Sequence, residues 1–399
     1  MTATNWAGNV AFTAGQVHRP ASVEEVRGLV EGAPRVRALG TAHSFSTIAD
    51  SPGVLVSLAE VPPDPVLEAG TVSVGAGIRY GELSTWLHER GYALHNLASL
   101  PHISVAGACA TGTHGSGAGN GCLSTAVTAL DLVTAAGDLR TLDGEDLAAA
   151  AVNLGALGIV TRVTLAVEPS YEVRQYVYDG LPWLALTANL DQIMASGYSV
   201  SVFTDWMASQ VWAKLRADQP VPDLSALGAQ PADAPRHPIA GHPADSCTEQ
   251  LGVPGPWHHR LPHFRLEFTP SSGDELQSEF LIPREAAPDA LAALHEIADR
   301  IAPALQVSEI RAVAADTLWL SPAYGRDSIA LHFTWISDAA VVMPVLAEVE
   351  QCLAPYDPRP HWGKIATIRG SYPRWAEFQD VRASLDPTGK FGNDYLDSR

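Results

Sequence analysis

The run Arg37-Ala38-Leu39-Gly40-Thr41-Ala42-His43-Ser44-Phe45-Ser46 puts one imidazole at the tip of a small-residue turn that follows a short strand. Gly40, Thr41 and Ala42 carry little side-chain bulk, so a ligand can come close to the backbone there, with a nucleophilic His43 nitrogen beside it. A loop histidine is ordinarily just a surface residue, and the turn by itself does not decide between the two. A second small-residue segment runs from Ser99 to Gly117, and within it Val105–Gly117 lets several backbone N–H groups point at one anion. Such a nest can hold a pyrophosphate without a cationic side chain.

A second set of chemically able residues falls on strands. Glu309 and Arg311, His332 and Thr334, and Gln277 and Glu279 are each two apart, so each pair shares one face of its strand. Leu331, Phe333 and Trp335 point the other way. A solvated sheet face would look the same for any one strand. Three strands presenting Gln, Glu, Arg, His and Thr instead suggest a pocket for a polyhydroxylated molecule, which needs donors and acceptors in number. Lys364 in Pro360-His361-Trp362-Gly363-Lys364 is a further candidate.

Pattern predicts the elements that must carry these groups. Strands are expected at 9–13, 36–39, 54–58, 71–75, 130–135, 139–142 and 158–167. Ser22-Val23-Glu24-Glu25 is a capping box opening a helix that ends near Gly32, and 79–90 is helical with Gly91 to stop it. Pro169 marks a boundary. Beyond it strands are expected at 172–178, 199–205, 264–268, 277–283, 306–313 and 328–336, with helices at 284–301 and 339–353 over one sheet face. Nine prolines between Gln219 and Pro262 exclude regular structure for most of that stretch. The fold class is therefore α+β, with an antiparallel sheet in the second domain.

Composition excludes several functions. With 25 basic against 44 acidic residues the net charge is −19, which repels nucleic acid and anionic membrane surfaces alike. No stretch of about 18 apolar residues is present to span a bilayer, and no secretory signal opens the chain. Cys109, Cys122, Cys247 and Cys352 lack metal-type or CxxC spacing and read as buried thiols of a cytoplasmic protein. Gly75-Ala76-Gly77-Ile78-Arg79-Tyr80-Gly81 sets its third glycine one residue too late for a Rossmann fingerprint. It reads as a strand–turn–helix.

Together the two small-residue runs and the ending Asp386-Pro387-Thr388-Gly389-Lys390-Phe391-Gly392-Asn393 resemble the flavin cradle and C-terminus of the vanillyl-alcohol-oxidase superfamily. Within it the HWGK segment, Cys247–Trp257 and Leu318–Arg326 resemble the alditol oxidases. The resemblance implies an FAD domain over 1–168, completed by about 365–399, and a substrate domain over 169–364. It implies FAD linked through His43 alone, since Cys109 lies too far along to supply the second link some relatives carry. Gly40, Thr41, Ala42, Ser44, Ser99, Ser104, Gly107, Ala108, Cys109, Ala110, Gly112, Thr113, Ile159, His361 and Asn393 are the further flavin contacts it implies. Ser99, Gln277, Glu309, Arg311, Thr334 and Lys364 would surround the substrate, with Lys364, Arg311, His332 and Glu309 in the chemistry; Lys364 or His332 would take the proton. The implied activity is oxidation of a terminal alcohol of an alditol (xylitol, sorbitol or glycerol), with O₂ reduced to H₂O₂ by a monomer. Small Ala98 would leave O₂ a path. An aldonolactone oxidase or dehydrogenase of the same superfamily is the alternative, and a flavin-storage protein without turnover the reading from another class.

Overall fold

The computed structural model describes residues 3–268 and 274–398; Met1, Thr2 and Arg399, at the ends of the expected first domain, lie outside them. Two sheet systems, each with its own apolar core, organise the α+β fold.

The first system joins two sheets. Gln16–His18, Val54–Val56 and Val36–Ala38 form a parallel sheet with Val54–Val56 at its centre. Val66–Glu68, Thr71–Gly75, Ile159–Ala166, Val127–Val133 and Leu139–Asp143 form an antiparallel sheet in that order. Ser22 caps the helix Val23–Gly32 by accepting from Glu25 N at 3.2 Å. The Glu25 carboxylate takes Ala21 N rather than closing the box on Ser22. Residues 75–81 do form a strand–turn–helix, leading into Tyr80–His88, and Gly91 follows with φ +79°.

The second system is a large antiparallel sheet. Its central strands run Glu172–Asp179, Ser209–Arg216, Ser199–Thr204, Leu305–Val313, Ser328–Ile336 and Glu275–Pro283. Alternation is clean where it matters. Phe280, Ile282, Ile310, Leu331, Phe333 and Trp335 bury one face under the helices Ala287–His295 and Ala339–Leu353. Two polar groups in that face are satisfied: Trp335 Nε1 donates to Ser278 Oγ at 2.8 Å and Trp206 Nε1 to Ser308 Oγ at 2.9 Å.

Three expected elements differ. Residues 9–13 make only a bridge, Thr4 with Ala11, because Val10 and Phe12 are drawn into a small core instead of a ladder. Residues 264–268 likewise make one bridge, Phe264 with Cys247. The helix expected over 284–301 starts after a 3₁₀ turn at Arg284–Ala286 and breaks between His295 and Ala298. No described helix is long and apolar enough to cross a membrane.

Candidate active site

One cavity of about 1110 Å³ runs between the two systems. On one wall is the turn 37–46. Ala42 has φ +57°, a conformation that costs an alanine energy and aims the next side chain inward. His43 lines the cavity and stacks on Trp6, with ring centroids 5.3 Å apart. Neither of its ring nitrogens meets a hydrogen-bond partner among the described residues. Burial takes its pKa down to about 4, so the ring is neutral and keeps a free lone pair at pH 7.

Beside His43 the second run is not an open loop; Val105–Ala110 winds into a short helix after Ser104. A Cβ on Gly40 would lie 2.6 Å from Ser104 Oγ, and one on Gly107 2.7 Å from the same atom. Any larger residue at either position would have to push the Ser104 hydroxyl aside. Ser104 N donates to Thr41 Oγ1 at 3.3 Å, tying the runs together.

The opposite wall is the polar face of the large sheet. Registers set Glu279 opposite His332 and His332 opposite Glu309, and Gln277 opposite Thr334. All six predicted strand residues line the cavity and all are buried. Arg311 donates to Glu279 through Nη2, lies 3.6 Å from Glu309 through Nε, and reaches Ser99 Oγ at 3.4 Å through Nη1. Burial alone would raise both carboxyls. The Arg311 guanidinium outweighs it, helped by His114 at Glu279 and His263 at Glu309, and holds both below the usual carboxylate range. The carboxylates in turn keep Arg311 charged.

Lys364 is placed by its own backbone. In 361–365, His361 N donates to Glu279 O and Ile365 N to Gln277 O, each at 2.9 Å, while Phe45 N donates to Gly363 O at 2.7 Å. The segment thus clips the histidine turn to the polar sheet. Lys364 Nζ donates to Gln277 Oε1, which also faces His332 Nε2 at 3.2 Å. Burial lowers Lys364 from its ordinary value and takes His332 and His361 to about 3.

Some expected contacts lie elsewhere. Cys109 faces the core, 3.4 Å from Tyr80 Oη, where burial pushes its thiol up to about 11. Ile159 points into the same core while its neighbours Gly158 and Val160 line the cavity. Gly112 sits against Pro322, and Asn393 caps the last helix and donates to the carbonyls of Thr47, Ile48 and Asp50. These four support the cradle from behind instead of lining it. Gly40, Thr41, Ala42, Ser44, Ser99, Ser104, Gly107, Ala108, Ala110, Thr113 and His361 do line it. Sequence reasoning missed Trp6, His114, His263 and Glu275, and left Glu279 as mere pattern. The proline-rich stretch contributes His237, Ile239 and His242 to the cavity rim, which no periodicity could announce.

Residues 14–143 match the FAD binding domain family and residues 274–399 the D-arabinono-1,4-lactone oxidase family. In overall structure the chain is similar to cholesterol oxidase from B. sterolicum, with a TM-score of 0.77 at 16% identity over 99% of this chain and 96% of that one. That likeness defines the fold as the vanillyl-alcohol-oxidase type. The chain is 51% identical to the alditol oxidase of a Streptomyces species over 98% of its own length and 97% of that protein's. It is 30% identical to the L-gulono-1,4-lactone dehydrogenase of Mycobacterium tuberculosis over the same 98% and 97%. The chain belongs to the alditol oxidase family of FAD-binding oxidoreductases. The residues fit FAD: an unpartnered neutral histidine, two glycines whose Cβ atoms would collide with Ser104, and a cavity with room for more than a small substrate.

Proposed function

We propose that this chain oxidises the terminal primary alcohol of alditols such as xylitol and sorbitol to the aldose, with O₂ reduced to H₂O₂, using FAD attached covalently through His43. The observation carrying this reading is that a buried face of Gln277, Glu279, Glu309, Arg311, His332 and Thr334 looks across one cavity at the unpartnered His43. Water is a poor reason to bury six polar groups; a polyol is a good one. When bound, FAD supplies the acceptor for the hydride that leaves the carbinol carbon.

The chain's own residues do the rest. Ser99, Glu309, Thr334 and Gln277 offer hydroxyl-binding atoms that orient the polyol. Arg311, fixed between two carboxylates, extends Nη1 to Ser99 and stabilises negative charge developing on the alcohol oxygen. Lys364 takes the hydroxyl proton. Burial lowers it from its ordinary value, which eases its use as a base, whereas His332 at about 3 is too weak a base at pH 7 and serves as a donor to Gln277.

Acid denaturation of the holoprotein should leave yellow colour on the polypeptide, and His43→Ala should release it. Anaerobic xylitol should bleach the flavin. The match of residues 274–399, which carry most of this polar face, to D-arabinono-1,4-lactone oxidase favours a second reading, oxidation of an aldonolactone. Side-by-side turnover of xylitol and L-gulono-1,4-lactone separates the two, and faster lactone oxidation would replace the first reading.

A further inference from the structure

From the cavity-lining His263 a chain of buried groups runs back behind the polar face, and the mechanism above does not use it. Lys214, in the strand Ser209–Arg216, is 1% exposed and does not line the cavity. Its ammonium donates to Leu261 O, to Pro262 O at 3.0 Å, and to His263 Nδ1 at 3.1 Å. Arg311 keeps Glu309 ionised, so its carboxylate can only accept; the single proton of the neutral His263 ring therefore sits on Nε2, and Nδ1 accepts from Lys214. That Nε2 lies 2.8 Å from Glu309 Oε1 and donates to it. The imidazole is held in place by Phe203 and Trp212, edge-on at 5.2 and 5.6 Å, and the backbone N–H of His263 donates to Ser99 O at 3.0 Å.

We propose that Lys214 and His263 form a one-way hydrogen-bond relay that positions Glu309, fixing Oε1 so that Oε2 faces the cavity as the acceptor for a substrate hydroxyl. No described residue hydrogen-bonds Oε2, and Glu309 lines the cavity. A carboxylate free to spin would spend part of its time with both oxygens on Arg311 and neither on substrate. The relay removes that freedom. Lys214 and His263 touch no reacting atom; both act through Glu309. The same anchoring of His263 to Ser99 couples the relay to a second substrate-side group, since Arg311 reaches the Ser99 hydroxyl.

The inference rests on the polyol reading, and its test separates the two. His263→Gln puts an amide N–H near the place of Nε2, with an amide oxygen to accept from Lys214, whereas His263→Asn keeps the Lys214 contact but cannot reach Glu309. Both holoproteins would be compared with the unmodified one for flavin content, melting temperature and steady-state oxidation of xylitol. We expect His263→Asn to raise KM for xylitol at least tenfold, and by a larger factor than it lowers kcat, while His263→Gln stays within about threefold of the unmodified KM. Lys214→Met, which takes away the partner that anchors His263 Nδ1, should raise KM in the same direction. Equal KM values for the Asn and Gln variants, or loss of soluble flavoprotein in both, would overturn the relay and make His263 a folding residue. Failure of xylitol to bleach the unmodified enzyme under anaerobic conditions would instead overturn the polyol reading.

Discussion

Mild acid should destabilise this protein well above the range where carboxylates titrate. Burial takes His332 and His361 to about 3 and His263 to about 4, against 6.5 for the free imidazole. The folded values lie below the unfolded ones, so the unfolded chain binds more protons throughout the interval. Stability therefore falls as pH drops below about 6.5, and keeps falling until the folded values are reached. Each such imidazole removes about 1.4 kcal/mol per pH unit, or about 2 kcal/mol between neutral pH and pH 5. Three together remove about 6 kcal/mol. An unfolding entropy of about 2 cal/mol/K per residue gives about 0.8 kcal/mol/K for a chain this long, so the melting temperature should fall by about 7 °C. Glu279 and Glu309 do not produce this loss. Their folded values are depressed, so their contribution persists above the ordinary carboxylate range and goes only at lower pH. Melting would be followed by circular dichroism from pH 8 to pH 5 at constant ionic strength. His332→Gln and His361→Gln should each reduce the slope by one proton. A flat melting temperature over that range, or unchanged slopes in both variants, would refute the assignment of these rings as buried and neutral.

Lys364→Met should lower turnover of xylitol by about 10²-fold with flavin content intact, whereas His332→Gln should cost much less; the reverse order in stopped-flow flavin reduction would move the proton to His332. Gly107→Ala should cut flavin incorporation, because its Cβ would sit 2.7 Å from Ser104 Oγ, and adding Ser104→Gly should restore it, read from the flavin-to-protein absorbance ratio. Asn393→Ala should cost about 1–3 kcal/mol of stability by stranding Asp50 O and uncapping the last helix, yet leave flavin in place; differential scanning calorimetry and the visible spectrum check both halves. Buried Ala98 lines the cavity, so Ala98→Val should slow reoxidation of the reduced enzyme by O₂ more than its anaerobic reduction, and equal effects on both rates would remove Ala98 from any oxygen path.

What could be read from the residues follows from how local the signal is. Thr71–Gly75, Ser328–Ile336 and Ala339–Leu353 fall where the sequence pattern puts them, because each is specified by its own side chains. The polar sheet face was legible for the same reason: a period of two survives burial when one side stays apolar. Ser209–Arg216 was invisible because it is buried on both faces and so shows no alternation to read. The run Phe264-Arg265-Leu266-Glu267-Phe268 alternates like a strand but has no ladder partner beyond Cys247, a fact that lies outside the run. Motif membership located the cradle segments, yet could not say which way Cys109, Ile159 and Asn393 face. His263 follows Pro262 in irregular chain, and nothing in its neighbours announces that Glu309, 46 residues on, is its partner.

The clip at 361–365 also bears on how this scaffold can change. Three backbone hydrogen bonds fasten five residues to the histidine turn on one side and to the sheet strand Glu275–Pro283 on the other. Main-chain bonds are indifferent to side-chain identity, so the spacing between the two walls is inherited separately from what the walls display. Mutation can therefore rewrite the polar face of the sheet, one side chain at a time, while the gap between it and the histidine turn stays constant. New substrates become reachable without re-solving the alignment problem. An insertion or deletion inside those five residues would do the opposite, keeping every recognition group and losing the common ruler.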